Sequence, residues 1–465
     1  MSPSLALVVY IAAGAGLFFL DRESCARPSK AVWLSVVWLW INGSRPPSAW
    51  LGMNIPKETP GQLPPTSLLD QSVAGCLIVF AAIVLIGRGR TVIAALKSSW
   101  PVALFFSYCL TSLAWSDFPG WGFKRWLRAL GDLLMVLIIV TDAQPSAALR
   151  RLFSRVGFIL LPASLLLIKY FPDMGRGFTP QGLAMNMGVT TNKNTLGVLV
   201  YVITLGTVWQ VLSLWLDKNQ PHRARRLLAQ GTLLYLGISL VYTAHSATST
   251  VATALGAALM LATVVPPTRR HPAAVHVFVF VILLGGGLIT FVGGSGQIAQ
   301  AMGRNSDFNG RTEVWDVVVP MVTNKLGGAG FETFWVGPRV LAVADVFHSF
   351  TNESHNGYIE TYVNLGWIGI SLIALILVRG YFWTAGAFRR DPALGALLVA
   401  FVVTAAIYNI TEAGFRMLGP GWFFLLFSVV AARSVPGVQK DLGLPGDEPA
   451  PLPIATEQVG IAEYN

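Results

Sequence analysis

The chain has 465 residues, 54% of them hydrophobic and only 12% charged, with a formal net charge of +10 at pH 7. A soluble domain carries about 25% charged residues, so this composition excludes an ordinary soluble protein and points to an integral membrane one. The positive excess then reads as basic loops facing the cytoplasm and its anionic lipid, and no nucleic-acid partner is expected. Cys25, Cys76 and Cys109 offer neither a disulfide framework nor a metal-ligand spacing.

Residues 4–20 are apolar, lack a basic n-region and a small-x-small cleavage site, and end at Asp21-Arg22-Glu23. They read as a first transmembrane helix rather than a signal peptide. Apolar runs follow near 31–42, 71–87, 98–115, 126–141, 152–171, 194–215, 227–244, 247–265, 274–293, 357–379, 393–409 and 418–433. A span needs about 20 residues and several runs break at Gly or Pro, which gives about 12–13 crossings. The expected fold class is therefore all-α, a polytopic integral membrane protein. Residues 1–293 would form an N-terminal transmembrane bundle and 294–356 a large outer loop with short helices. Residues 357–434 would form C-terminal transmembrane helices, followed by a Pro-rich, disordered cytoplasmic tail over 435–465.

Basic residues recur in alternate connections: Arg88, Arg90 and Lys97; Arg150, Arg151 and Arg155; Lys218, Arg223, Arg225 and Arg226; Arg269 and Arg270; Arg379, Arg389 and Arg390. Two expected spans separate each group from the next, so these connections are assigned to the cytoplasm. The outer connections then hold Arg45, Lys124, Arg125, Arg176, Lys193, Arg311, Arg339, His348, His355 and Arg416. Cations are depleted from short outer loops, and those that remain are either solvated loop charge or the walls of an anion pocket. Arginine suits the pocket because its planar fork gives paired, permanently charged donors. Arg128 and Asp132, four apart in one span, read as an intramembrane ion pair.

Within the long outer loop, Asn309 is placed to cap a helix whose first turn holds Arg311, so that the helix dipole would reinforce anion binding. The alternative for Arg311 is an ordinary salt bridge to Glu313 or Asp316. Gly327-Gly328-Ala329-Gly330-Phe331 lacks the Gly-Lys-Ser/Thr ending of a P-loop, which argues against ATP at this turn. His355 stands where watery loop becomes membrane span. It is either hydrogen-bonded structure or an imidazole that takes the proton of an attacking hydroxyl. Glu353 is the rival base, or orients the histidine. Glu360 could face the same pocket or simply meet a helix N-terminus.

His355-Asn356, nine residues, then Gly366-Trp367-Ile368-Gly369 resembles the signature of the O-antigen ligase and polysaccharide polymerase superfamily. Tyr358 completes its His-Asn-Gly-Tyr start. Asn42-Gly43-Ser44-Arg45-Pro46, Trp115-Ser116-Asp117 and Thr191-Asn192-Lys193-Asn194 resemble the exopolysaccharide polymerase branch, and Gly310-Arg311-Thr312 with Trp315 fits both. The resemblance implies a GT-C-like, inverting glycosyltransferase of the bacterial inner membrane, needing no metal and no cofactor. Its donor would be an undecaprenyl-diphosphate-linked oligosaccharide used at the periplasmic face. An acceptor glycan, membrane lipid and a chain-length regulator are the partners it suggests. His355 and Arg311 match position by position, as acceptor-side histidine and diphosphate clamp. The ligases carry a further arginine in a Ser-rich turn; Ala244-His245-Ser246-Ala247-Thr248-Ser249-Thr250 has none. A second diphosphate contact is then expected from Arg176, Lys193 or Arg45, and the departure favours a polymerase. An O-antigen ligase or protein O-oligosaccharyltransferase remains the close alternative, and a lipid-linked glycan flippase the more distant one.

Overall fold

The computed structural model describes residues 1–23, 27–53, 66–178, 184–264, 276–281, 307–347 and 353–434, with Leu63, Gly182, Leu284 and Gly285. Cys25, Arg269, Arg270, His348, much of the 274–293 run and the 435–465 tail lie outside the described residues.

The described chain is an all-α bundle with one two-stranded hairpin. Its first half runs α1 (Pro3–Leu20), α2 (Val32–Asn42), α3 (Pro47–Trp50), α4 (Leu68–Ile86), α5 (Gly89–Ser98), α6 (Trp100–Thr111), α7 (Pro119–Val140), α8 (Pro145–Tyr170) and α9 (Pro172–Gly175). Strands β1 (Arg176–Phe178) and β2 (Ala184–Asn186) pair antiparallel, Gly177 opposite Met185. Then come α10 (Lys193–Leu216), α11 (Arg223–Thr243), α12 (Ala247–Val264), α13 (Asp307–Val318), α14 (Pro338–Phe347), α15 (Gly357–Arg390), α16 (Pro392–Thr411) and α17 (Pro420–Ser434). Proline opens α1, α7, α8 and α16, where its missing N–H has no intrahelical acceptor to lose.

Six helices among the described residues (α1, α4, α8, α10, α15 and α16) are long and apolar enough to cross a membrane. The α5–α6 pair, bent by 89°, makes up to seven, and α2, α12 and α17 are shorter apolar helices. This is a polytopic membrane protein. In α16, 78% of the apolar window is buried, against 11% in α1, so α16 lies at the centre and α1 turns its side chains outward, as lipid-facing helices do. Around the centre Phe153, Phe401 and Phe424 stack, with ring centroids 4.8 Å apart for Phe153–Phe424 and 5.1 Å for Phe401–Phe424.

The two ends of the bundle differ. At one end Glu23 meets Arg150 and Arg226 at 3.5 and 3.4 Å, Arg88 meets Asp142, and Arg390 donates to the Ala432 carbonyl. These are the residues of the alternating basic connections. The opposite end carries the starts of α7, α10 and α15 and the end of α16.

Two local expectations change. Asp132 does not pair with Arg128; its oxygens accept from Trp38 Nε1 at 2.7 Å and from the Leu418 N–H at 3.0 Å. A buried carboxylate thus ties α2 to the loop before α17, because two aimed N–H groups satisfy it better than a guanidinium one turn away. Helix α13 begins at Asp307, so Asn309 lies inside it rather than capping it, and Arg311 falls beyond its first turn.

Candidate active site

The site is built where α15 starts and α16 ends. Asn356 caps α15, its Oδ1 accepting from the N–H groups of Tyr358 and Ile359 at 2.9 and 3.0 Å. Its Nδ2 donates to the Ile410 carbonyl at 2.9 Å, and the Gly357 N–H donates to the Glu412 carbonyl at 3.1 Å. One asparagine therefore starts one helix and fastens it to the end of another. Gly357 has to be glycine: a Cβ there would stand 1.9 Å from Asn409 Oδ1. Tyr358 adds a hydrogen bond to the Ala406 carbonyl and an edge contact with Phe415.

His355 precedes this cap with φ +49°, a left-handed conformation that non-glycine residues avoid. Its neighbour is held from two sides. Ser354 donates through N and Oγ to Glu360 Oε2, both at 3.1 Å, and Trp315 Nε1 donates to the Ser354 carbonyl at 2.8 Å. Glu360, 5% exposed, also accepts from Trp335 Nε1 at 2.7 Å. It is the anchor of the turn.

So held, His355 Nδ1 lies 3.0 Å from Glu353 Oε1 and 3.7 Å from Glu412 Oε2. Arg311 Nη2 reaches Glu412 Oε1 at 3.0 Å, while its Nη1 donates to the Thr411 carbonyl. Arg416 Nη1 stands 3.5 Å from Glu353 Oε2, and Asn194 Nδ2 donates to Glu412 Oε2 at 3.1 Å. Arg311 and His355, a loop apart in sequence, meet on one carboxylate. Arg311 takes the salt bridge to Glu412 rather than one to Glu313 or Asp316.

Burial alone would lower the pKa of His355, but Glu353 and Glu412 beside it lift it to about 9. Burial would raise that of Glu353; His355, Arg416 and Arg311 bring it down to about 2. At neutral pH His355 is thus an imidazolium and Glu353 a carboxylate, with the guanidinium groups of Arg311 and Arg416 beside them.

The structure does not bring every expected cation here. Arg45 donates to the Met174 carbonyl and lies over Trp50, and Arg176 Nε donates to the Ile168 carbonyl at 2.8 Å. Both serve the 172–187 segment. Lys193 opens α10 one residue before Asn194, beside the cluster but with no ion pair to it among the described residues. Sequence reasoning missed Glu412 and did not select Arg416 from the outer cations. The only signal was a short outer connection, 412–419, carrying one acid and one arginine between two apolar runs. The arginine-free Ser/Thr turn also reaches this place, since Thr248 Oγ1 and Thr411 Oγ1 lie 2.9 Å apart.

The signature glycines shape a second wall. Gly366 has φ +63° within α15, and a Cβ there would meet the Leu326 carbonyl oxygen at 2.2 Å. That gap lets residues 325–330 cross the helix, pairing Trp367 N with the Lys325 carbonyl, Ala329 N with Val363 and Gly330 N with Asn364. A Cβ on Gly369 would press on Leu365 Cβ at 2.3 Å. The crossing loop delivers Glu332, ion-paired to Arg125. Burial pushes the Glu332 carboxyl up, yet Arg125 and Arg416 pull it below its ordinary range.

Fold and site together define a multi-pass membrane protein whose polar cluster closes one end of a helix bundle. Residues 232–374 match the O-antigen ligase family. The exopolysaccharide production protein ExoQ of Rhizobium meliloti (strain 1021) is 24% identical over 341 residues, 71% of this chain and 75% of the relative. Both matches are likenesses over the stretches covered, to an O-antigen ligase domain and to a protein of exopolysaccharide production. The matched segment contains Arg311, Glu332, Glu353 and His355, and ends before Glu412 and Arg416.

Proposed function

We propose that this protein is a polysaccharide polymerase of the bacterial inner membrane. It would transfer a glycan from a polyprenyl (undecaprenyl) diphosphate to a sugar hydroxyl of the acceptor chain, at the periplasmic face. The observation that carries the reading is the convergence of Arg311 and His355 on Glu412, with Arg416 joined through Glu353. Attack of the acceptor hydroxyl on the anomeric carbon expels the lipid diphosphate, so negative charge grows on the leaving group. Arg311 and Arg416 are preorganised donors for that charge, and in this reading no metal is called on. With its pKa near 9, His355 enters the reaction as an imidazolium. It binds and orients, held in place by Glu353, and Glu412, the carboxylate it shares with Arg311, receives the hydroxyl proton.

The polymerase reading draws on the extent of the match to the exopolysaccharide production protein and on the arginine-free turn at 244–250. A ligase using the same donor is the second reading, favoured by the family match over 232–374. Purified protein supplied with a lipid-linked repeat unit separates them. A ladder of products extended on the lipid carrier supports polymerase action, and single transfer to a non-homologous acceptor supports ligation. A protein that moves the lipid-linked unit across vesicles with its diphosphate bond intact would be a flippase instead.

A further inference from the structure

Beside the charged cluster, a small, narrow cleft lies between the crossing loop, the first turns of α15 and the 415–417 segment. Glu332, Glu360, Arg416, Asn364, Phe331 and Phe415 are among the residues that line it. We propose that this cleft is the acceptor subsite, binding an uncharged sugar ring with the Glu332 carboxylate accepting its hydroxyl protons. The proposal deepens, and rests on, the reading of the neighbouring cluster as the lipid-diphosphate site.

Several observations support it. The lining mixes carboxylate, guanidinium and amide with three aromatic rings, Phe105, Phe331 and Phe415, which suits a ligand that is polar at its rim and apolar on its C–H face. Arg125 and Arg416 hold the Glu332 carboxyl below its ordinary range, so this wall disfavours an anion, and the donor's diphosphate is left to Arg311 and to the side of Arg416 that faces Glu353. Glu360 and Asn364 are engaged with Trp335, Ser354, the Phe334 N–H and each other. In Glu332 only Oε2 is engaged, by Arg125, and Oε1 has no hydrogen-bond partner among the described residues. Finally, Glu332 is held at φ +56°, a strained conformation that persists only where surrounding structure enforces it. Here Phe331 N donates to Ser112 Oγ at 3.0 Å, and Thr333 Oγ1 lies 2.8 Å from Ser116 Oγ. The cleft is also continuous with the chemistry, because Arg416 lines it and contacts Glu353, the partner of His355.

The test uses full-length protein in proteoliposomes, the lipid-linked repeat unit as donor, and the same oligosaccharide freed of its carrier as acceptor. Release of lipid diphosphate is followed against acceptor concentration at fixed donor. Glu332→Gln is expected to raise the acceptor KM about tenfold or more, the loss of a charge-assisted hydrogen bond, with donor KM unchanged. Glu332→Asp should recover part of the loss. A folded Glu332→Gln protein with the wild-type acceptor KM, or with a raised donor KM instead, overturns the subsite. Should the variant not fold, hydrogen exchange on wild-type protein decides: the carrier-free oligosaccharide must protect residues 329–335, and absence of protection overturns the proposal. Wild-type protein that transfers nothing overturns the underlying functional reading rather than the subsite alone.

Discussion

At the scale of single residues, the charge state of His355 decides what chemistry it can do. Its pKa near 9, above the ordinary 6.5, keeps the imidazolium through neutral pH. The transfer rate should therefore stay level from neutrality upward and fall as pH passes about 9; a rate that climbs through the same range would identify a neutral imidazole as base. The same shift has a stability consequence with a definite sign. A raised histidine pKa contributes stability that is complete below about 6.5 and lost progressively as pH rises through about 9. The depressed Glu353 contributes stability present above 4.5 and lost as pH falls through about 2. Thermal melts should thus be highest between those limits, and His355→Ala should flatten the alkaline side. His355 and Arg311 each had a bland alternative in the sequence, and it was their places in the His-Asn…Gly-x-x-Gly and Gly-Arg-Thr stretches that singled them out. Glu412 was not: one acid at the end of an apolar run looks like any interfacial residue until α15 is laid against α16.

At the scale of elements, small residues decide which pieces meet. Asn356 serves as cap and as tether between α15 and α16, so Asn356→Ala should cost about 1 kcal/mol for the cap. It should also lower transfer by more than that loss of stability explains, since the tether to Ile410 sets His355 against Glu412. Gly366→Ala places a Cβ against the Leu326 carbonyl at a positive φ, and should uncouple the crossing loop from α15. The readout is increased hydrogen exchange over 325–335 with little change at α16. Asp132→Ala strands the Trp38 and Leu418 N–H groups, at about 1–3 kcal/mol for each unsatisfied buried group, and should lower the melting temperature in detergent. The His-Asn-Gly-Tyr stretch announced a helix start, but the purpose of Gly366 depended on a loop some forty residues earlier, a contact that no local pattern encodes. The Arg128–Asp132 spacing misled for a related reason. Four-residue spacing names a possible partner on the same helix and is silent about N–H groups arriving from another.

At the scale of the whole molecule, composition and the alternation of basic connections were enough to establish a membrane bundle and to sort its two ends. What they left open was how the long outer loop folds back, because its course depends on packing against α6, α7 and α15 rather than on hydropathy. Orientation is directly testable. With Cys25, Cys76 and Cys109 replaced, a cysteine at exposed Phe178 should react with an impermeant reagent from the periplasm, and one at position 222 only after the membrane is opened. The reverse pattern would invert the topology and place the site in the cytoplasm.

The central claim is that paired guanidinium donors stabilise a departing lipid diphosphate. It is tested most directly by the rate of lipid-diphosphate release from a lipid-linked glycan by reconstituted Arg311→Lys protein at saturating acceptor. Lysine keeps the charge and loses the fork, so the rate should fall by about 10²–10³-fold with the acceptor KM unchanged. A variant that is folded and releases lipid diphosphate at the wild-type rate would contradict the claim.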